Sequence, residues 1–172
     1  MTETTSQFES SLHLEEPKKL SSTLNVLTIL TFIGSALAFF SGFYSFASSE
    51  KTFQKMKETY ESGQFDSMPE FAKKMMLPLE YYQKLNENRL PIMLLTVIAA
   101  VLCIFGAIQM RKLLKQGFYI YLIGEILPLL IPVLFVGGLA FNMYFYIGFA
   151  FTALFIILYA VQSKHLHNAP KR

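Results

Sequence analysis

The amino-acid sequence predicts an all-α, polytopic membrane protein with four transmembrane helices and a small helical extracytoplasmic loop between helices 1 and 2. The first observation is composition: 53% of the 172 residues are hydrophobic and 16% are charged, whereas about a quarter of the residues of a soluble domain are charged. The second is a set of four apolar segments, each close to the roughly 20 residues that cross a ~30 Å hydrocarbon core. The segments are continuously apolar and do not alternate, which excludes a transmembrane β-barrel.

The composition also excludes other classes of protein. The hydrophobic content is too high for a disordered chain. A net charge of +3 is too small to indicate a nucleic-acid binder. The single cysteine, Cys103, cannot form an intrachain disulfide, so the chain is not a disulfide-stabilised scaffold.

The four predicted spans cover about residues 24–46, 90–110, 117–136 and 139–162. Residues 1–21 form a polar tail that we expect to be disordered and cytoplasmic. Residues 163–172 form a basic tail, also expected in the cytoplasm. The extracytoplasmic loop between the first two spans covers residues 47–89.

The distribution of cations predicts the orientation. The turn between spans 2 and 3 carries Arg111, Lys112 and Lys115 and no acidic residue, and the C-terminal tail carries three further cations. The connection between spans 3 and 4 is uncharged, and the long first loop carries seven cations and seven acids. Because cations concentrate in short loops on the cytoplasmic side, we expect both termini in the cytoplasm and the long loop outside.

The first loop has the pattern of three helical stretches. Apolar residues three and four apart predict amphipathic faces, and they occur at Phe53, Met56 and Tyr60 and again at Leu79, Tyr82 and Leu85. Between them, Gly63 is expected to end the first helix, Ser67 and Glu70 resemble a capping box, and Pro78 is expected to end the second helix. The loop either lies on the mouth of the bundle in the headgroup region or binds an external ligand or partner.

Glu125 is the single charged residue inside the four predicted spans, about 12 Å from the cytoplasmic boundary. Intramembrane carboxyl groups are costly and mark functional sites. Pro128 and Pro132 have no N–H to donate to the carbonyls of Gly124 and Pro128, which predicts a kink and free carbonyls beside the acid. One interpretation is a proton or cation site built from the carboxyl group and unwound backbone. The other is structural: a neutral Glu125 hydrogen-bonded across the bundle to Thr28, Gln109 or Tyr159.

Small residues four apart predict two helix-packing seams, since they let helices approach closely. The seams are Gly34, Ala38 and Gly42 in span 1, and Ala99, Cys103 and Ala107 in span 2. We expect packing within the chain, with homodimerisation as the alternative. Span 4 is rich in aromatic residues, which indicates lipid exposure and interface anchoring or a groove for a lipid or cofactor. Those residues are Phe141, Tyr144, Phe145, Tyr146, Phe149, Phe151, Phe155 and Tyr159.

No motif in the chain predicts catalysis. The nine glycines form no nucleotide-binding motif, and neither H-E-x-x-H nor G-x-S-x-G occurs. His165 and His167 form a pair without a third ligand, which favours a cytoplasmic anchor beside Lys164 over a metal site. We therefore expect no enzyme, no cofactor and no bound metal.

Three stretches carry a family resemblance: LNVLTILTFIG, ENRLPIMLLT and GAIQMRKLLKQGFYIYLIGEILPLL. Together they resemble an uncharacterised family of short four-span inner-membrane proteins of Bacteroidetes-type bacteria. The resemblance implies a location in the bacterial inner membrane and transfers no activity.

The sequence favours a non-enzymatic accessory or scaffold subunit of the inner membrane. Its expected partners are the lipid bilayer and another membrane protein or a second copy, and not nucleic acid. The alternative is a small proton- or solute-coupled carrier centred on Glu125 and the Pro128/Pro132 kink. A weaker alternative is a protein that binds a lipid or another hydrophobic ligand.

Overall fold

A computed structural model describes residues 21–166, without the side chain of His165. Residues 1–20, nearly all of the predicted N-terminal tail, lie outside this range. Residues 167–172, which include His167 and end the predicted C-terminal tail, also lie outside it. Within the described part of the chain every regular element is helical, so the all-α prediction is confirmed. The helices are α1 (Ser22–Glu61), α2 (Gln64–Ser67), α3 (Glu70–Met75), α4 (Leu79–Glu87), α5 (Arg89–Arg111), α6 (Gln116–Val136) and α7 (Met143–Gln162), with short 3₁₀ turns at Gly137–Ala140 and Ser163–His165.

Four of these helices, α1, α5, α6 and α7, are long and apolar enough to cross a membrane. The predicted bounds of the second and third apolar segments agree with α5 and α6 to within one residue. The fourth begins later than predicted, because Gly137–Ala140 forms a 3₁₀ turn and α7 begins only at Met143. Asn142 caps α7: its side-chain oxygen accepts hydrogen bonds from the backbone N–H groups of Tyr144 and Phe145.

The four long helices share two ends, which we call the turn end and the cap end. At the turn end, residues 112–115 connect α5 to α6, with Leu113 in the left-handed region at φ 60°. The Ser21 hydroxyl there donates to the Gln162 side chain at 3.2 Å, which joins the start of α1 to the end of α7. α5 packs against both α1 and α6, and α7 packs against α6 and, more lightly, against α1.

The contact between α5 and α6 is a backbone contact made possible by glycine. A Cβ atom added to Gly106 would lie 2.7 Å from the amide nitrogen of Tyr121, and one added to Gly117 would lie 2.7 Å from the carbonyl oxygen of Gly106. Real Cβ atoms do not approach other atoms this closely. The two helices therefore pack at a distance that only glycine permits at these positions.

A compact apolar cluster closes the turn end. Tyr121 and Tyr159 are fully buried, with their ring centroids 4.4 Å apart. The other members of the cluster are Leu24, Leu27, Cys103, Met110 and Leu166. All four long helices and the segment after α7 thus meet in one buried cluster on this side.

The cap, defined here as residues 47–88, is helical as predicted but begins differently. Phe53, Met56 and Tyr60 do not start a separate helix, because α1 continues without interruption from the first apolar segment to Glu61. The predicted end at Gly63 agrees with the structure, where that residue has φ 74°. Ser49 anchors the returning chain, since its hydroxyl donates to the Asn86 side chain at 3.0 Å.

The predicted capping box in the cap is wrong. The Ser67 hydroxyl donates to the carbonyl of Gln64 and does not cap α3. Pro69 occupies the N-cap position in an extended conformation, so the helix begins only at Glu70. Pro78 precedes α4 and does not end α3, which already ends at Met75.

Candidate functional site

Glu125 lies half-buried on α6, directly after Gly124, which packs closely against α5. A Cβ atom added to Gly124 would lie 2.8 Å from the Cys103 sulfur and 3.0 Å from the Ala99 carbonyl oxygen. The Cys103 thiol donates to a carboxyl oxygen of Glu125 at 3.7 Å, a weak hydrogen bond. A close contact between α5 and α6 therefore also occurs directly beside the carboxyl group.

Glu125 faces a half-open cavity of about 300 Å³, called here the central cavity, to which all four long helices contribute. Five side chains with hydroxyl groups line it: Thr31, Ser35, Thr96, Tyr121 and Thr152. The remaining lining is mostly apolar and includes Leu30, Ala38, Ala99, Ala100 and Phe155. A carboxyl group and several hydroxyls thus face one space among otherwise apolar helices, an arrangement that can hold water and a proton or a small polar ligand.

The prolines after Glu125 do not unwind the helix. α6 remains helical from Gln116 to Val136 with Pro128 and Pro132 inside it, so the predicted unwound backbone is wrong. Pro128 lines the central cavity and has no N–H to donate to the Gly124 carbonyl. The site therefore consists of side chains on continuous helices, with the Gly124 carbonyl lacking its usual helical donor.

None of the three partners predicted for Glu125 forms a hydrogen bond with it. Thr28 donates to the carbonyl of Asn25 at 2.9 Å, and the hydroxyls of Tyr159 and Thr31 share a buried hydrogen bond of 2.7 Å. The side-chain oxygen of Gln109 is buried without a partner among the described residues. The carboxyl group instead contacts Cys103, on a helix face that sequence analysis assigned to packing alone.

The two predicted packing seams have different positions in the structure. Ala99, Cys103 and Ala107 are buried, on the face of α5 that meets α6. Gly42 is also buried, and a Cβ atom added there would lie 3.4 Å from the Thr96 methyl group. Gly34 is exposed with no neighbouring atom within 4 Å, so the seam in span 1 does not extend to it.

The aromatic residues of α7 do not enclose a groove. Tyr159 is buried in the turn-end cluster and Phe155 lines the central cavity, whereas most of the others are exposed. Only 6% of the apolar window of α7 is buried inside the protein, against 28% for α1 and α5. The outer face of α7 is therefore a broad apolar surface.

A polar cluster joins the C-terminal part of α1 to α4 and α5. Gln54 and Asn86 donate to the two carboxyl oxygens of Glu50 at 3.0 and 2.9 Å, and Arg89 lies 3.6 Å away. The hydrogen bonds from Gln54 and Asn86, with a smaller contribution from the charge of Arg89, hold the pKa of Glu50 below its ordinary value. Arg89 also lies over the Phe46 ring, 5.6 Å from its centroid.

Within the described residues, no group of three His, Cys, Asp or Glu side chains is placed to hold a metal ion. The predicted His165–His167 pair extends beyond those residues. The chain matches no family model, no curated protein and no solved structure.

Two groups of residues at or beside this site were not identified from the sequence. Gly106 and Gly117 were not identified as packing residues, although Gly117 and Gly124 lie seven positions apart on one face of α6, a spacing that indicates a seam. Thr96 and Thr152 were not identified as lining the cavity. A lone threonine in an apolar span carries no signal of its own until the neighbouring helices are known.

Proposed function

We propose that the chain is a multi-pass protein of the bacterial inner membrane, with α1, α5, α6 and α7 crossing the bilayer as a four-helix bundle and both termini in the cytoplasm. The unopposed cations Arg111, Lys112 and Lys115 at the turn end support this orientation. The large exposed apolar surface of the four helices supports insertion. A reporter fused after Arg172 that is active only in the cytoplasm tests the orientation, and activity of a periplasm-dependent reporter at the same position would contradict it.

We further propose that the protein is a small proton- or solute-coupled carrier in which Glu125 binds the coupling proton. The observation that carries this proposal is the central cavity, where all four helices place polar groups around one carboxyl group. Ionisable residues inside membranes mark proton relays and substrate pathways.

Proton flux tests the carrier proposal. The protein is reconstituted into liposomes containing a pH-sensitive dye, a potential is imposed with potassium and valinomycin, and uptake of a panel of solutes is measured in parallel. Glu125→Gln is expected to abolish pH-dependent flux and Glu125→Asp to retain part of it. Glu80→Gln, which removes an exposed carboxyl group in the cap, is the matched control and should behave as wild type. Equal flux in wild type and Glu125→Gln would refute the carrier.

Infrared spectroscopy tests the same proton site without requiring transport. A protonated carboxyl group in an apolar environment gives a carbonyl stretching band separate from the amide bands. Wild-type protein in nanodiscs is expected to show such a band, which disappears as the pH rises, and Glu125→Gln is expected to lack it. The same band in both proteins would assign it to another carboxyl group and contradict the proposal.

A second candidate function is that of an accessory or scaffold subunit, favoured by the weak burial of α7 within the chain. Phe71 and Met75 in the cap are also exposed and could contact another protein. Co-purification from native membranes in mild detergent tests this function. A strictly monomeric protein with no stable partner would count heavily against it.

A further inference from the structure

A second cavity, the cap-end cavity, opens between α1 and the adjoining helices α4 and α5. Its volume is about 330 Å³. Ser41, Ser45, Ser48 and Thr52 line it, with one hydroxyl on each successive turn of the same face of α1. Arg89 is the charged residue among its lining side chains. A row of hydroxyl groups therefore runs along α1 for about three helical turns, in a wall that also contains Phe46 and Phe53.

The cap-end cavity and the central cavity meet at one residue pair. Thr96 lines both cavities, and Gly42 faces it across the α1–α5 interface. The Thr96 hydroxyl donates to the carbonyl of Ile92 at 2.8 Å, and the Thr96 methyl carbon is the atom nearest to where a Gly42 side chain would begin. The Gly42–Thr96 contact thus lies where the two cavities adjoin, and it contains no hydrogen bond or ion pair between the two residues.

The opposite side of the central cavity is closed. Tyr121, Tyr159 and Met110 are at most 1% exposed in the cluster that fills the turn end. The hydrogen bond between Thr31 and Tyr159 ties α1 to α7 on that side. Water moving from the turn end towards Glu125 would have to displace several large side chains, whereas on the cap side Thr96 lines both the central cavity and the cap-end cavity.

We propose that water and protons reach Glu125 from the cap end, through the cap-end cavity and past the Gly42–Thr96 pair. This inference rests on the proposed role of Glu125 as the proton site, and it identifies the side and the residues that control access. A proton needs only the carboxyl group and a chain of water and hydroxyl groups. A metal ion would need several oxygen ligands at once.

The single cysteine of the chain supplies the test, because Cys103 lies in the central cavity beside Glu125. The probe is the silver ion, a small hydrophilic thiol reagent, added in chloride-free buffer outside proteoliposomes. Remaining free thiols are counted by mass spectrometry after unfolding and alkylation. In a Cys103→Ala background, Ser62→Cys marks molecules whose cap faces outwards. Ile98→Cys is the matched control, because Ile98 lies on the exposed side of α5, the helix that carries Cys103.

The silver ion is expected to block Cys103 in the same fraction of molecules as Ser62→Cys. Cys103 should be blocked at least about tenfold faster than the cysteine of Ile98→Cys. This ratio corresponds to a difference of about 1.4 kcal/mol between the barriers to the two reactions. Gly42→Leu fills the constriction and should slow blocking of Cys103 by a similar factor. Gly42→Ala, whose added carbon only touches the Thr96 methyl, should slow it less and serves if Gly42→Leu does not purify as a single species.

Three results would overturn the route. Cys103 could react no faster than Ile98→Cys, it could react in the fraction of molecules whose cap faces inwards, or its rate could be unchanged in a well-folded Gly42 variant. Thiol blocking does not depend on transport, and the measurement is repeated with Glu125→Gln. Equal flux in wild type and Glu125→Gln, together with fast blocking of Cys103, would refute the carrier and leave the route standing. Loss of flux in Glu125→Gln, together with slow blocking of Cys103, would support the carrier and refute the route.

Discussion

Alanine at Gly124 is expected to destabilise the protein, whereas alanine at Gly34 is expected to be neutral or stabilising. Both residues lie inside long helices, where glycine costs about 0.5–1 kcal/mol relative to alanine. At Gly34 the new methyl group meets no atom within 4 Å, so this gain is retained. At Gly124 it would lie 2.8 Å from the Cys103 sulfur and 2.9 Å from the Cys103 amide nitrogen. Overpacking of this kind costs about 1–3 kcal/mol, which exceeds the gain.

The expected difference between the two variants is therefore about 2 kcal/mol in unfolding free energy, with opposite signs relative to wild type. Unfolding by sodium dodecyl sulfate in mild-detergent micelles, followed by circular dichroism, measures it. Adding Cys103→Ala to Gly124→Ala removes the sulfur but leaves the amide nitrogen, so it should restore only part of the loss. Equal unfolding midpoints for Gly124→Ala and Gly34→Ala would refute the assignment of Gly124 to a backbone contact.

Three further predictions concern polar groups. Thr31→Val and Tyr159→Phe should each cost about 1–2 kcal/mol because they leave a buried hydroxyl unpaired, and the double variant should cost less than their sum in the same unfolding assay. Gln109→Met should raise the unfolding free energy by about 1 kcal/mol, since it removes a buried oxygen without a partner; a destabilised variant would show that this oxygen is satisfied. The lowered pKa of Glu50 means that its ionised form stabilises the cap. This stabilisation is complete above the ordinary pKa and is lost as the pH falls through the lowered one. The protection of α4 amides against hydrogen exchange, relative to the intrinsic exchange rate at each pH, should therefore fall at acidic pH in wild type and stay unchanged in Glu50→Gln.

The four apolar helices could be predicted because their signal is local: a run of apolar residues of sufficient length needs no information about neighbours. The predicted bounds of a helix were wrong where the apolar segment ends before the helix does. The sequence becomes polar after Phe46, but no glycine or proline occurs before Gly63, so α1 continues through the change in polarity. Ser67 does not cap α3, because Pro69 takes an extended conformation and α3 begins only at Glu70.

Glu125 could be singled out from the sequence, because a charged residue within an apolar segment needs no alignment to be noticed. Its surroundings could not be derived in the same way. Which side chains share a cavity depends on how each helix is rotated about its axis and on which helices are neighbours. Cys103 and Thr152 therefore became part of the site only in three dimensions, and Thr28, which the sequence offered as a partner, bonds within its own helix.

Gly124 explains why Glu125 faces the cavity and not the outer surface of the four long helices. Successive residues of a helix point about 100° apart, and Gly124 is held against the backbone of α5. This contact fixes the rotation of α6, so the next residue points to the side of the interface, towards α1 and α7. Thr152 and Phe155, which complete the cavity wall, lie on α7, the least buried of the four long helices. The carboxyl group thus belongs to the most tightly packed pair of helices, while the wall opposite it is held by the fewest buried contacts.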